Sequence, residues 1–187
     1  MPSTLNHVAL LVRSVDRTAA ALAAFGFLVG PREVWDGEGT AEIYVGADGL
    51  AARLLLMEPV KEGAYTRAMT QRGPGLHHLA VDVADLEGFV DGLAGSGWLL
   101  HPKSLHTARE TKTAWLARPG TKTLVEVQQR QVVANAAPFL TALELPASAR
   151  ERTMLAALGT PAVRPSPDGD AWIATAGHRL KLADLVR

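Results

Sequence analysis

The sequence predicts an α+β protein in which two βαβββ modules, related by a pseudo-twofold, form a cupped mixed sheet around a shared cavity, with a C-terminal appendage. Three observations predict it. The chain repeats itself without a gap at an offset of 71 residues: Leu5-Asn6-His7-Val8-Ala9 returns as Leu76-His77-His78-Leu79-Ala80, Val12 as Val83, and Gly26-Phe27-Leu28-Val29 as Gly97-Trp98-Leu99-Leu100. Each copy runs from an aliphatic strand pattern through an acidic turn and a helical periodicity into three further strand-like segments. The segment after Val132 matches neither copy, yet its apolar content is too high for a disordered tail.

The elements follow in order. First strands are expected over Asn6 to Val12 and His77 to Val83, with Asp16 and Asp85 as helix N-caps. Helices over Arg17 to Phe25 and Leu86 to Ser96 each stop at a glycine. The remaining strands of the first module are Phe27 to Val29, Ala41 to Val45 and Ala52 to Met57; those of the second are Trp98 to Leu100, Thr113 to Ala117 and Thr123 to Gln128. A short helix over Gly63 to Thr70 connects the modules before the turn Gly73-Pro74-Gly75. The predicted organisation is therefore a domain over 1–131, with modules 4–60 and 75–130, and an appendage over 132–187. The appendage carries a helix over Ser148 to Leu158 and a hairpin whose strands, Trp172 to Thr175 and Arg179 to Leu182, flank Ala176-Gly177-His178.

Composition limits the function. Of 187 residues, 48% are hydrophobic, 20% charged and 5% aromatic, and nineteen Lys and Arg balance nineteen Asp and Glu. A neutral chain has no basic field for nucleic acid and no polybasic edge for an anionic membrane. No apolar run approaches the roughly 20 residues of a membrane span. Met1-Pro2-Ser3-Thr4 lacks the charged-then-apolar layout of a signal peptide, so a cytoplasmic protein is expected. The absence of cysteine excludes disulfides, thiolate zinc sites and cysteine nucleophiles.

The repeat creates a constellation. Equivalent positions on the first strands are His7 and His78; those on the last strands are Leu55 and Glu126. Two neutral imidazoles and a carboxylate suit a divalent ion with open coordination positions, whether Co, Ni, Mn, Zn or Fe. Alternation places Glu126 on the face shared with Leu124 and Gln128, opposite Val125 and Val127. A lone carboxylate among such neighbours would be costly to bury, which favours a bound cation. His77 lies one residue out of phase with His78 and is expected to point the other way.

With these residues in place, the chain resembles the vicinal oxygen chelate superfamily over about residues 4 to 130. Within it, Leu5-Asn6-His7-Val8-Ala9, Met57-Glu58-Pro59, Arg72-Gly73-Pro74-Gly75-Leu76-His77-His78-Leu79-Ala80 and Leu124-Val125-Glu126-Val127 are similar to the methylmalonyl-CoA epimerases. The resemblance implies that His7, His78 and Glu126 ligate a metal. It also implies a fourth ligand at the position held here by Leu55, which cannot ligate. Either three side chains and water hold the ion, or the site has departed from metal binding. Extradiol dioxygenases of the superfamily ligate iron through His, His and Glu alone. His106 stands where those enzymes carry an active-site His, and Trp115 where they carry a Tyr.

The resemblance assigns Glu42 as a catalytic base, with His106 as a second candidate for acid–base work. Arg53, two residues from Leu55 on one strand face, is the candidate for an anionic substrate group, and Trp115 for substrate contact. Gly37-Glu38-Gly39 reads only as a turn, His101 as a loop residue without function, His178 as structural, and Lys61, Lys103 and Lys112 as solvated surface. The expected function is a metal-dependent isomerase or lyase that abstracts a proton next to a carbonyl of a small-molecule substrate, including an acyl-CoA such as methylmalonyl-CoA. The alternatives are an Fe(II) extradiol-type dioxygenase and a metal-free binding protein of the resistance type. A homodimer is a further expectation of the resemblance.

Overall fold

Eight strands form one mixed sheet in the computed structural model, which describes residues 2–118, 123–130 and 137–186. The first module comprises β1 (Thr4–Leu11), α1 (Val15–Ala23), β2 (Glu33–Trp35), β3 (Thr40–Val45) and β4 (Arg53–Pro59). After α2 (Ala64–Arg72), the second comprises β5 (Gly75–Val83), α3 (Leu86–Gly92), β6 (Leu99–Leu100), α4 (Ser104–Glu110), β7 (Thr113–Ala117) and β8 (Leu124–Gln129). The sheet order is β2-β3-β4-β1-β5-β8-β7-β6, with β1 and β5 antiparallel at its centre. The α+β class and the doubled module are thus observed. β1 lies parallel to β4 as β5 does to β8, and His7 opposes Arg53 as His78 opposes Leu124, so the register itself keeps the offset of 71.

Alternation sorts the strands into two faces. Val8 and Leu10, Leu54 and Leu56, Leu79 and Val81, and Val125 and Val127 enter one large buried cluster beneath α1 and α3. Ala9, Leu11, Leu55 and Met57 face the other way and form a smaller cluster with Tyr65 and Ala68 of α2. That second, concave face is the one left partly open.

The C-terminal segment builds a second sheet, ordered β10-β9-β11-β12, from β9 (Ala142–Leu145), β10 (Val163–Pro165), β11 (Trp172–Ala174) and β12 (Arg179–Lys181). With α5 (Ala149–Ala157) and α6 (Leu182–Leu185), it packs against the modules. Leu140, Leu143, Met154 and Ile173 belong to the large cluster, and the Trp98 indole donates to the Met154 carbonyl at 2.9 Å. Ser148 caps α5 in a reciprocal box with Glu151.

Several boundaries differ from expectation. Val29 makes only one bridge, to Val45, and the second strand of the first module is instead Glu33–Trp35. Pro31 has no N–H to donate, and Phe27 turns its ring toward Phe139 and His178, at centroid distances of 5.3 and 5.1 Å. Ser14, not Asp16, caps α1, accepting from the Arg17 N–H, and Asp16 sits in the first turn. α3 ends at Gly92 because the chain then turns through Gly95 and Gly97, both at positive φ. α4 was not expected; Ser104 anchors it, its hydroxyl accepting from the Trp115 N–H and donating to the Trp115 carbonyl. β9 and β10 were also missed. Glu144 interrupts the apolar pattern of β9, yet it is buried, bound by Nε and Nη2 of both Arg164 and Arg179. The expected boundary at 131 and 132 lies outside the described residues.

Hydrogen bonds from Arg179 and then Arg164 hold the Glu144 carboxyl below its ordinary range. The unfolded chain therefore binds the proton more readily, so this stabilisation is complete above the unfolded carboxylate range and is lost as pH falls through the folded value. Glu144→Gln is expected to cost about 1–2 kcal/mol at neutral pH and to flatten the loss of stability below pH 4.5, the unshifted value. Urea denaturation across that range measures both.

Candidate metal centre

Two imidazoles and one carboxylate converge on the concave face. His7 Nε2 lies 3.1 Å from His78 Nε2, and His78 Nε2 lies 3.7 Å from Glu126 Oε2. One ligand atom from each of the three residues falls within 4.8 Å of the others. The central strand pair positions them: Ala9 opposes His78 and Ala80 opposes His7 across β1 and β5, while β8 delivers Glu126 beside Ala80. Ala9 opposes Leu55 as Ala80 opposes Glu126, so Leu55 occupies the pseudo-symmetric counterpart of the carboxylate position.

Both histidines are buried, and burial first of all pushes the His7 imidazole down to about 3, with Arg130 and Arg53 adding to it. His78 is held well below its ordinary value, again chiefly by burial. Both rings are therefore neutral near pH 7, the form that ligates. His7 Nδ1 donates to Asn6 Oδ1 at 2.8 Å, because the Asn6 amide nitrogen is committed to Asp82 Oδ2 at 2.8 Å. That arrangement leaves the His7 Nε2 lone pair aimed at His78.

The site lines a cavity of about 260 Å³. Glu38 and Glu42 join Glu126 in its wall, and among the described lining residues there is no lysine or arginine. Burial raises the pKa of both Glu42 and Glu126. Three carboxylates around two neutral imidazoles form a cavity short of positive charge, and the donor set fits a divalent cation.

Of the other residues singled out in the sequence, Glu42 and Trp115 line this cavity. Thr40 donates to Glu42 Oε1 at 2.8 Å, and the Trp115 ring stands edge-on to His78 at 5.2 Å. Two do not reach it. Arg53 bonds Asp48 at 2.8 Å and stacks 4.3 Å over the Tyr44 ring, while His106 is exposed on α4, whose buried side is Ser104. His77 does not point away from His78 as strict alternation required. Its Nδ1 lies 2.9 Å from His78 Nδ1, because the strand bulges there. Sequence reasoning missed Tyr44, although it pairs with Leu55 as Trp115 pairs with Glu126 and stands edge-on to His7. It also missed Glu38, which accepts a 2.7 Å hydrogen bond from the Tyr65 hydroxyl. The repeat could have found Tyr44; Glu38 sits in a hairpin turn that carries no chemical signal.

Fold and site together define a doubled βαβββ scaffold with a candidate ion site between its halves. The family model for the glyoxalase/bleomycin resistance protein/dioxygenase superfamily matches residues 6–115, and the chain belongs to that superfamily. Among solved structures it is similar to methylmalonyl-CoA epimerase from Mycobacterium tuberculosis, at 26% identity and a TM-score of 0.53 over 68% of this chain and 87% of that one. A hypothetical protein from Bacillus halodurans C-125 matches at 19% identity and a TM-score of 0.58, over 72% and 99% of the two chains. A methylmalonyl-CoA epimerase in complex with methylmalonyl-CoA and NH4+ matches at 22% identity and a TM-score of 0.50, over 74% and 100%. No curated protein matches the chain. Among the described residues, no helix is long and apolar enough to cross a membrane.

Leu55 is buried in an apolar cluster, so Leu55→Glu is expected to destabilise the metal-free protein by about 2 kcal/mol or more. Cobalt should then raise the melting temperature of the variant by more than it raises that of the parent. An equal rise in both would show that position 55 does not face the ion.

Proposed function

We propose that this chain is a metal-dependent isomerase or lyase that removes a proton next to a carbonyl, acting on an acyl-CoA thioester of the methylmalonyl-CoA type. The observation that carries the reading is the convergence of His7, His78 and Glu126 in one cavity with the separate carboxylate of Glu42. His7, His78 and Glu126 would hold the ion. When bound, a divalent ion there supplies electrophilic stabilisation of the enolate oxygen. Glu42 is the base. Burial raises its pKa and so makes its carboxylate a stronger proton acceptor, and Thr40 fixes the carboxyl group through Oε1. Trp115, Tyr44 and Met57 supply apolar wall that keeps water from the reacting carbon. The cavity suits the acyl head of a thioester, with the carrier outside. The likeness to the Mycobacterium tuberculosis epimerase supports the substrate class.

One observation favours a second reading. With Leu55 at the fourth position, two histidines and one carboxylate leave several coordination positions open, as iron(II) ring-cleaving oxygenases require. Against it, His106 is exposed and Trp115 has no hydroxyl for proton transfer.

The test is deuterium incorporation at the α-carbon of methylmalonyl-CoA in heavy water, with cobalt-loaded protein. Incorporation should occur, and Glu42→Gln should slow it by about 10²- to 10⁴-fold while leaving cobalt content unchanged. Incorporation unaffected by Glu42→Gln would remove Glu42 from the mechanism. No incorporation, with oxygen uptake on catechols by the iron-loaded protein, would favour the oxygenase.

A further inference from the structure

The central pairing of β1 and β5 breaks register twice. Leu5 opposes Val81 and His7 opposes Ala80, so Asn6 is an extra residue on β1; Ala9 opposes His78 and Leu10 opposes Leu76, so His77 is an extra residue on β5. Asn6 and His77 stand 71 residues apart, and the two bulges are therefore exchanged by the pseudo-twofold. Side-chain burial shows the same phase shift. Leu5 and Val8 both enter the large cluster, three residues apart where strict alternation demands an even spacing; likewise Leu79 enters it and the partly buried Leu76 packs against it. A bulge turns two consecutive side chains toward one side of the sheet. That is how Asn6 Oδ1 reaches His7 Nδ1 at 2.8 Å, and how His77 Nδ1 reaches His78 Nδ1 at 2.9 Å.

We infer that Asn6 and His77 are a matched pair of positioning residues, each placed by a bulge to orient the neighbouring histidine and to fix which of its ring nitrogens faces the ion. The inference rests on the metal reading of the site. The two halves are not equivalent. Asp82 holds the Asn6 amide nitrogen, so Asn6 presents only its oxygen and His7 must carry its proton on Nδ1. Leu11 stands at the position equivalent to Asp82, and its side chain cannot pin His77 in the same way. The imidazole of His77 can donate or accept at Nδ1. Without an ion, a consistent chain runs from His77 Nδ1–H to His78 Nδ1 and from His78 Nε2–H to His7 Nε2, at 2.9 and 3.1 Å. Ligation through His78 Nε2 requires the reverse: its proton moves to Nδ1 and is donated to His77 Nδ1, while His77 carries its own on Nε2. No proton is gained or lost by the three rings. His77, buried and lying against the Tyr65 ring at 5.0 Å, thus serves as a reversible partner and Asn6 as a fixed one.

The test is cobalt(II) titration of the whole protein, read by its visible absorption. His77→Phe and Asn6→Leu should each weaken cobalt binding by about 10- to 100-fold, with far-ultraviolet circular dichroism unchanged, and His77→Gln, which keeps an acceptor, should recover most of the loss. Folded His77→Phe that binds cobalt like the parent, or a Gln variant that recovers nothing, would overturn the inference. Nitrogen-15 NMR of the metal-free parent provides a measurement that needs no variant. His7 should be protonated at Nδ1 and His78 at Nε2; His7 protonated at Nε2 would contradict the fixed half. A parent that binds no cobalt but shows these tautomers would overturn the metal reading while leaving the hydrogen-bonded pair in place.

Discussion

The antiparallel pairing of β1 with β5 is the constraint on which the rest of the structure depends. It joins the two modules edge to edge in one sheet, and each contributes one histidine to the concave face. A one-residue slip in that pairing would move every side chain of a strand to the opposite face and part His7 from His78. The register is held by packing on the face opposite the site. Val8, Leu10, Leu79 and Val81 are fully buried in the large cluster, and the second sheet adds Leu140, Leu143 and Ile173 to the same core. The C-terminal segment therefore stiffens the sheet that carries the site, although none of its described residues lines that cavity.

Charge governs the concave face as packing governs the other. Glu38, Glu42 and Glu126 share one small cavity with two histidines that burial keeps neutral. Positive groups stand nearby but are engaged elsewhere: Arg53 with Asp48 and the Tyr44 ring, Lys103 over the Trp115 ring at 5.0 Å. A divalent cation would offset this accumulation of carboxylates. Leu55 is buried at the counterpart of the Glu126 position, so an ion there would have three protein donors and open positions for other oxygens.

The sequence made the doubled module, the central strands and the convergence of His7, His78 and Glu126 legible, because all follow from one offset of 71 and a period of two. What it hid has physical causes. The edge strand Glu33–Trp35 is short and exposed, with no burial pattern to read, whereas Phe27 was recruited by an aromatic contact with Phe139 far along the chain. β9 was obscured by Glu144, whose burial depends on two distant arginines. His77 was misplaced because a bulge resets the alternation, and a bulge is a property of the pairing, which a single strand's sequence does not display. His106 fell on an unforeseen helix that turns it to solvent, and Glu38 gained its place from the closure of the cup.

Elemental analysis of protein purified without chelators, with His78→Ala alongside, tests whether three residues from three strands form one ion site. Such a site should hold near one equivalent of a first-row divalent metal in the parent and almost none in the variant. No metal in either, even after supplying cobalt, nickel, manganese, zinc and iron(II), would contradict it and recast the cavity as a metal-free binding site.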